Sequence, residues 1–147
     1  DQAQLVQSAR EAMETSLAPA GRSVGSSVGS EWIWPAQGVV AQSFSSSHRG
    51  IDISGKLGDR ILAARDGTVL AVQKDMPSFG HMVILQHSDS YLSFYGHIRD
   101  FLVRVGDEVE QGQAIAEMGD SGTDRVQLHF EVRFQGRSID PLEKLPR

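Results

Sequence analysis

Residues 126–133 read VQLHFEVR and alternate without a break. Val126, Leu128, Phe130 and Val132 fall on one side, and Gln127, His129, Glu131 and Arg133 on the other. Period two is the mark of a β-strand with one face in a core and the other turned toward solvent. It places an imidazole, His129, on the polar side, with an amide, Gln127, two residues before it.

Segments of the same type recur on either side of this one, at 38–44, 50–53, 60–62, 67–73, 81–86, 92–97, 101–103, 114–118 and 127–134. Turn residues separate them: Pro35, Gly55, Gly58-Asp59, Asp66-Gly67, Pro77, Gly106-Asp107, Gly112, Gly119 and Gly122. Short alternating segments at close intervals predict an all-β sandwich or barrel with little helix. GDRILAARDGTVLAV (58–72) and GDEVEQGQAIAEMG (106–119) share a plan: Gly-Asp, a short apolar segment, a glycine turn, another apolar strand. Two interlocking β units of related design would give that echo.

The texture differs before Trp32. Leu5, Ala9, Met13 and Leu17 recur every four residues, one face of a short helix that Ala18-Pro19-Ala20-Gly21 ends. Gly, Ser and Val then fill 21–30, the composition of a flexible linker. The chain thus divides into a helical segment with linker, 1–31, and a β domain, 32–147. The leading segment is either a solvated tether to an N-terminal part not in this chain, or a tail that docks over the domain or mediates self-association.

With 147 residues, 39% of them hydrophobic, the chain has apolar surface enough for one core. The net charge of -5 is spread over interleaved acids and bases, with no basic stripe for nucleic acid or anionic lipid. No apolar run approaches transmembrane length. The lack of cysteine excludes disulfides, thiolate ligands and thiol nucleophiles. With no initiator Met and no signal-peptide pattern, the chain reads as a processed or trimmed piece.

Three predicted strands present an imidazole on their polar side. In SHRGIDISG (47–55), His48 and Asp52 share a face, while Ile51 and Ile53 face the core. In YLSFYGH (91–97), Tyr95 and His97 share a face, and in QLHF His129 shares one with Gln127. Two imidazoles and a carboxylate are the donor set of a catalytic zinc centre that leaves one position for water. His81 and His87 read as structural, His87 at a strand end running into a turn.

From Trp34 to the C-terminus the chain resembles the LytM or lysostaphin-like family of zinc peptidases, which cut peptidoglycan cross-bridges. The matching stretches are WPAQGVVAQSF, HRGIDISG, ILAARDGTVLAV, FGHMVILQH, YLSFYGH, VRVGDEVEQGQAIAEMGDSG and LHFEVRFQGRSIDPLEKL. The resemblance implies a LytM-type hybrid β-sandwich, two sheets forming an open groove with zinc on its floor. It implies His48, Asp52 and His129 as the zinc ligands and His97 as a residue that orients or polarises water and substrate. The departure is Gln127, where the family has a second catalytic imidazole. An amide takes up no proton near neutral pH and cannot be a general base, a loss of about 10²–10⁴ in rate.

Thr123-Asp124 and the C-terminal LHFEVRFQGRSIDPLEKLP resemble the NlpD-like branch of Gram-negative envelope proteins. Members of that branch activate N-acetylmuramoyl-L-alanine amidases during daughter-cell separation, and many have lost the first metal ligand, which this chain keeps. Typical members are tethered to the outer membrane. The expected location is therefore the periplasm or cell envelope, tethered through an N-terminal part not in this chain.

Three functional readings follow. The first is a regulator of feeble or absent hydrolysis whose groove binds peptidoglycan or a periplasmic amidase. The second is a working zinc endopeptidase with a substituted site. The third is a carrier module, since GDEVEQGQAIAEMG and ARDGTVLAV resemble biotinyl and lipoyl domains. Lys56, Lys74 and Lys144 are the only lysines, and none stands in the hairpin that such carriers modify. Arg49 and Arg125 are expected to meet acidic peptide stems, and Tyr95 to hydrogen-bond in the groove. Loops 74–80 and 119–124 are its expected rims. Trp34-Pro35 reads as a packing anchor.

Overall fold

Alternating segments become strands where one face finds a core. The computed structural model describes residues 31–146. Its strands are β1 (Val40–Gln42), β2 (Ile51–Ser54), β3 (Arg60–Leu62), β4 (Gly67–Met76), β5 (Gly80–Gln86) and β6 (Tyr91–Gly96), then β7 (Ile98–Phe101), β8 (Glu108–Val109), β9 (Ala114–Met118), β10 (Gln127–Phe134) and β11 (Arg137–Ile139). A 3-10 turn, Pro141–Glu143, follows, with the Asp140 side chain accepting from the Leu142 N–H. The helix expected over 1–18, its linker and any tail docking lie outside the described residues.

Two antiparallel sheets result, as the sequence predicts. The larger runs β1-β2-β10-β6-β5-β4-β8, with β11 paired to β10, and the smaller runs β3-β9-β7. One core joins them: Ile51, Ile53, Val83, Leu85, Tyr95, Leu128, Phe130 and Val132 meet Ile61, Ile98, Ile115 and Met118. Each fully buried Ile or Leu contributes about 1.5–3 kcal/mol. A second cluster, Met82, Ile84, Leu92 and Phe94 with Met76 and Phe79, covers part of the other face of the larger sheet. β5 and β6 are therefore apolar on both faces.

The internal echo has a structural counterpart. Turns 56–59 and 104–107 each place glycine at their third position, Gly58 at φ +90° and Gly106 at φ +94°, the left-handed geometry that a type II turn requires. The next residue closes each turn: Asp59 Oδ2 accepts from the Lys56 N–H and Asp107 Oδ2 from the Arg104 N–H, both at 2.9 Å. Leu57 and Val105 occupy the outer corners, which explains why these apolar side chains are 57% and 62% exposed. The strands that follow interlock, β3 with β9 and β4 with β8.

Apart from shifts of a few residues at strand ends, one expected segment is displaced and two strands were not expected. β7 begins earlier than the predicted 101–103, at Ile98. β8 and β11, two and three residues long, are too short to show alternation.

Candidate metal centre

The register of β2 and β10 decides which side chains meet. Leu128 stands opposite Ile53 and His129 opposite Asp52. Since Ile51, Ile53, Leu128 and Phe130 enter the inter-sheet core, Asp52 and His129 project from the other face. His48 is not on the strand itself. It ends a tight turn in which Ser45 and His48 exchange backbone hydrogen bonds of 2.8 and 3.2 Å, just ahead of β2.

The three side chains converge. His129 Nδ1 lies 2.7 Å from Asp52 Oδ1, and His48 Nε2 lies 3.3 Å from Asp52 Oδ2. One ligand atom from each of His48, Asp52 and His129 falls within 4.8 Å of the others. His48 Nε2 is buried and makes no hydrogen bond, because its contact with Asp52 has ion-pair distance without the alignment. An unsatisfied buried nitrogen costs about 1–3 kcal/mol. A cation among these atoms removes that cost, and two nitrogens with one oxygen suit zinc with an open position.

The electrostatics follow from the contacts. Burial pushes the Asp52 carboxyl up, but the His129 hydrogen bond and the neighbouring imidazoles outweigh it and hold it below its usual range. Burial pushes His129 down, yet its hydrogen bonds to Asp52 and Glu131 raise it to about 9. His97 stays below its ordinary value, chiefly through burial. Its Nδ1 lies 2.7 Å from the Ser121 carbonyl oxygen, which only accepts. The hydrogen is therefore on Nδ1, and Nε2 carries the lone pair. The His97 and His129 rings are 6.0 Å apart.

Several expected residues stand elsewhere. Tyr95 does not share a face with His97, because His97 has φ +65° and its backbone breaks the alternation. Tyr95 is 0% exposed in the inter-sheet core, where its oxygen accepts from the Ala64 N–H at 3.0 Å and lies 2.8 Å from Ser93 Oγ. The expected groove role of Tyr95 is thus corrected to a core role, and burial pushes its phenol well above the usual range. Arg49 is exposed. Arg125 is also exposed and lies 3.8 Å from Asp124, itself on the surface. Gln127, opposite Ser54 on β2 and 8% exposed, reaches Thr123 Oγ1 at 3.5 Å. Trp34 is a packing anchor as expected: it packs against the inter-sheet core and donates to the Pro146 carbonyl at 2.8 Å.

The polar face of β10 is not turned to solvent: Gln127, His129 and Glu131 are all buried. Glu131 Oε2 lies 2.8 Å from His129 Nε2, and Arg133 Nη2 donates to Glu131 Oε1 at 2.7 Å. The expected loop 74–80 is shorter, because β4 runs to Met76 and β5 starts at Gly80; within that turn Phe79 sets its ring edge-on to His129 at 5.3 Å. Glu131, Arg133, Phe79 and Ser121 are the residues that the sequence reading missed. An unbroken run of polar side chains on a strand this central to the sheet was the available signal for the first two.

The sequence profile of peptidase family M23 matches residues 46–141. The lipoprotein NlpD/LppB homolog of Pseudomonas aeruginosa is 50% identical over 119 residues, 79% of this chain and 40% of that protein. The murein hydrolase activator NlpD of Escherichia coli is 43% identical over 121 residues, 80% of this chain and 32% of that protein. The chain thus spans less than half the length of these curated relatives. Among solved structures, a zinc containing peptidase from Vibrio cholerae superposes with a TM-score of 0.72 at 28% identity, over 77% of this chain and 40% of that one. The M23 match takes in His48, Asp52, His97 and His129, and the chain belongs to peptidase family M23.

Proposed function

We propose that this chain is the M23 domain of an NlpD-like cell-envelope factor that promotes peptidoglycan remodelling during cell division by activating N-acetylmuramoyl-L-alanine amidases. In this reading His48, Asp52 and His129 hold zinc, and hydrolysis by the domain itself is impaired. The observation that carries it is Gln127, an amide on the face of β10 where a second base beside His129 is needed. The names of the relatives support the activator role and a lipoprotein setting in the envelope.

Bound zinc would supply Lewis acidity and lower the pKa of water. The chain's own residues divide the remaining work. Asp52, held ionised, and the two imidazoles fix the cation. His97, neutral and protonated on Nδ1, offers Nε2 as a proton acceptor. Gln127 donates or accepts a hydrogen bond but moves no proton. Arg49 and Arg125, both exposed, stand as candidate contacts for acidic peptide stems.

A working zinc endopeptidase is the second reading, favoured by the intact donor set and by the free lone pair of His97. Dye-labelled sacculi separate the two when incubated with the zinc-loaded chain, with a Gram-negative periplasmic amidase, and with both. The expected result is little release by the chain alone and release by the amidase that rises several-fold when the chain is added. No stimulation, with brisk release by the chain alone, would establish the endopeptidase instead.

A further inference from the structure

An imidazole that binds a metal through one nitrogen has a second nitrogen to satisfy. For His129 that atom is Nε2, since Nδ1 faces Asp52 at 2.7 Å. Its partner is Glu131 Oε2 at 2.8 Å. The other carboxylate oxygen, Oε1, accepts from Arg133 Nε at 3.1 Å and from Arg133 Nη2 at 2.7 Å. The Arg133 guanidinium in turn lies 4.2 Å over the Phe94 ring. Both Glu131 oxygens are therefore engaged, and the residue is 4% exposed.

Burying a carboxylate is expensive unless it is fully paired, and a charged pair is often no more stabilising than apolar side chains of the same shape. β10 alternates Leu128, Phe130 and Val132 into the inter-sheet core without help from Glu131. Packing alone thus gives no reason for a charge at position 131. Its geometry gives one. A carboxylate on the far nitrogen of a ligating histidine fixes the ring orientation, sets the tautomer and raises the basicity of the ligand.

We propose that Glu131, clamped by Arg133 against Phe94, is a positioning residue that holds His129 with its hydrogen on Nε2 and its Nδ1 lone pair toward the cation. The inference rests on the metal reading of His48, Asp52 and His129. Glu131 touches no substrate or metal and acts through His129. The clamp also explains why Gln127, His129, Glu131 and Arg133 occupy alternate positions of one strand. The first faces the site, the second binds, the third orients and the fourth secures the third.

The test is titration of zinc into chelator-stripped full chain by calorimetry, with long-range proton–nitrogen NMR of the His129 ring in the zinc-loaded chain. Glu131→Ala is expected to weaken zinc binding about 10–100-fold and to remove the uniform Nε2–H tautomer. Glu131→Gln, which keeps an acceptor but loses the charge, is expected to fall between. It also carries the test if Glu131→Ala fails to fold. Asp52→Ala is the control for the metal reading. If Asp52→Ala leaves zinc affinity unchanged, the metal site itself is wrong, and the positioning role falls with it. If Asp52→Ala weakens binding while both folded Glu131 variants keep wild-type affinity and tautomer, Glu131 is only a structural ion pair and the proposal is overturned.

Discussion

His87 and His129 are both buried imidazoles, yet their surroundings drive them in opposite directions. His129 meets two carboxylates and rises to about 9, whereas His87 meets none and falls to about 4, chiefly through burial. His87 Nδ1 lies 2.7 Å from the Asp66 carbonyl and its Nε2 lies 2.7 Å from Ser93 Oγ, so the neutral ring is satisfied and burial disfavours the charged one. In the unfolded chain the imidazole takes up its proton near 6.5, well above the folded value. The contribution of His87 to stability is thus full above pH 6.5, declines as the pH falls and levels off below about 4, a total of about 3 kcal/mol. Asp52 and Glu131, whose folded values are lowered, also lose stability in acid. Urea denaturation of wild type and His87→Gln at several pH values isolates the histidine: wild type should lose more between pH 6.5 and 4 than the variant. Parallel losses would show that His87 does not titrate as described. The sequence placed His87 at a strand end before a turn, which is where it lies. Its partners stayed hidden, because Asp66 and Ser93 reach it only through pairing of β5 with β6 and through the turn before β4. Tyr95 was misread for a related reason, since left-handed backbone at His97 is invisible to an alternation rule.

The β4–β5 hairpin end and loop 119–124 are joined into one wall. His81 N–H donates to Ser121 Oγ at 2.9 Å, the Ser121 hydroxyl donates to the Ile98 carbonyl at 2.8 Å, and the Ser121 carbonyl holds His97. A Cβ at Gly80, where φ is +64°, would stand 2.1 Å from the Ser121 carbonyl oxygen. At Gly106, where φ is +94°, a Cβ would meet nothing within 4 Å. Gly106→Ala therefore reports backbone strain alone, about 1–2 kcal/mol. Gly80→Ala adds the collision and should cost clearly more in urea denaturation, while disturbing the His97 ring signals. Equal losses for the two variants would dissolve the idea of a joined wall. Both loops were legible as turns from Pro77, Gly80, Gly119 and Gly122. Their mutual grip was not, because the Ser121 hydroxyl meets His81 and Ile98, and its carbonyl meets the His97 ring, only across sequence separations of 23 to 40 residues. Strand legibility did not follow length: 60–62, 114–118 and 127–134 matched β3, β9 and β10 residue for residue, whereas 67–73 stopped short of the end of β4 and the two-residue β8 escaped.

Across the whole molecule, two related β units interlock into a pair of sheets, and the larger sheet carries a donor set on the face away from the inter-sheet core. His129 and Asp52 lie 77 positions apart along the chain yet 2.7 Å apart in space. Local periodicity gave each residue its face, but only the family resemblance brought the two together before the register of β2 and β10 was known. The same register places Gln127 opposite Ser54, one alternation step from His129, without a basic group in its place. In the proposed reading, a retained donor set and a missing base are separable properties, and substitution at position 127 alone separates them. The decisive measurement is the rate of dye release from labelled sacculi by the zinc-loaded chain with no amidase present, for wild type and Gln127→His. Wild type should release almost nothing above background, and Gln127→His should exceed it by about ten-fold or more. Wild type that digests sacculi as fast as Gln127→His would contradict a domain that keeps its metal site but has lost its base.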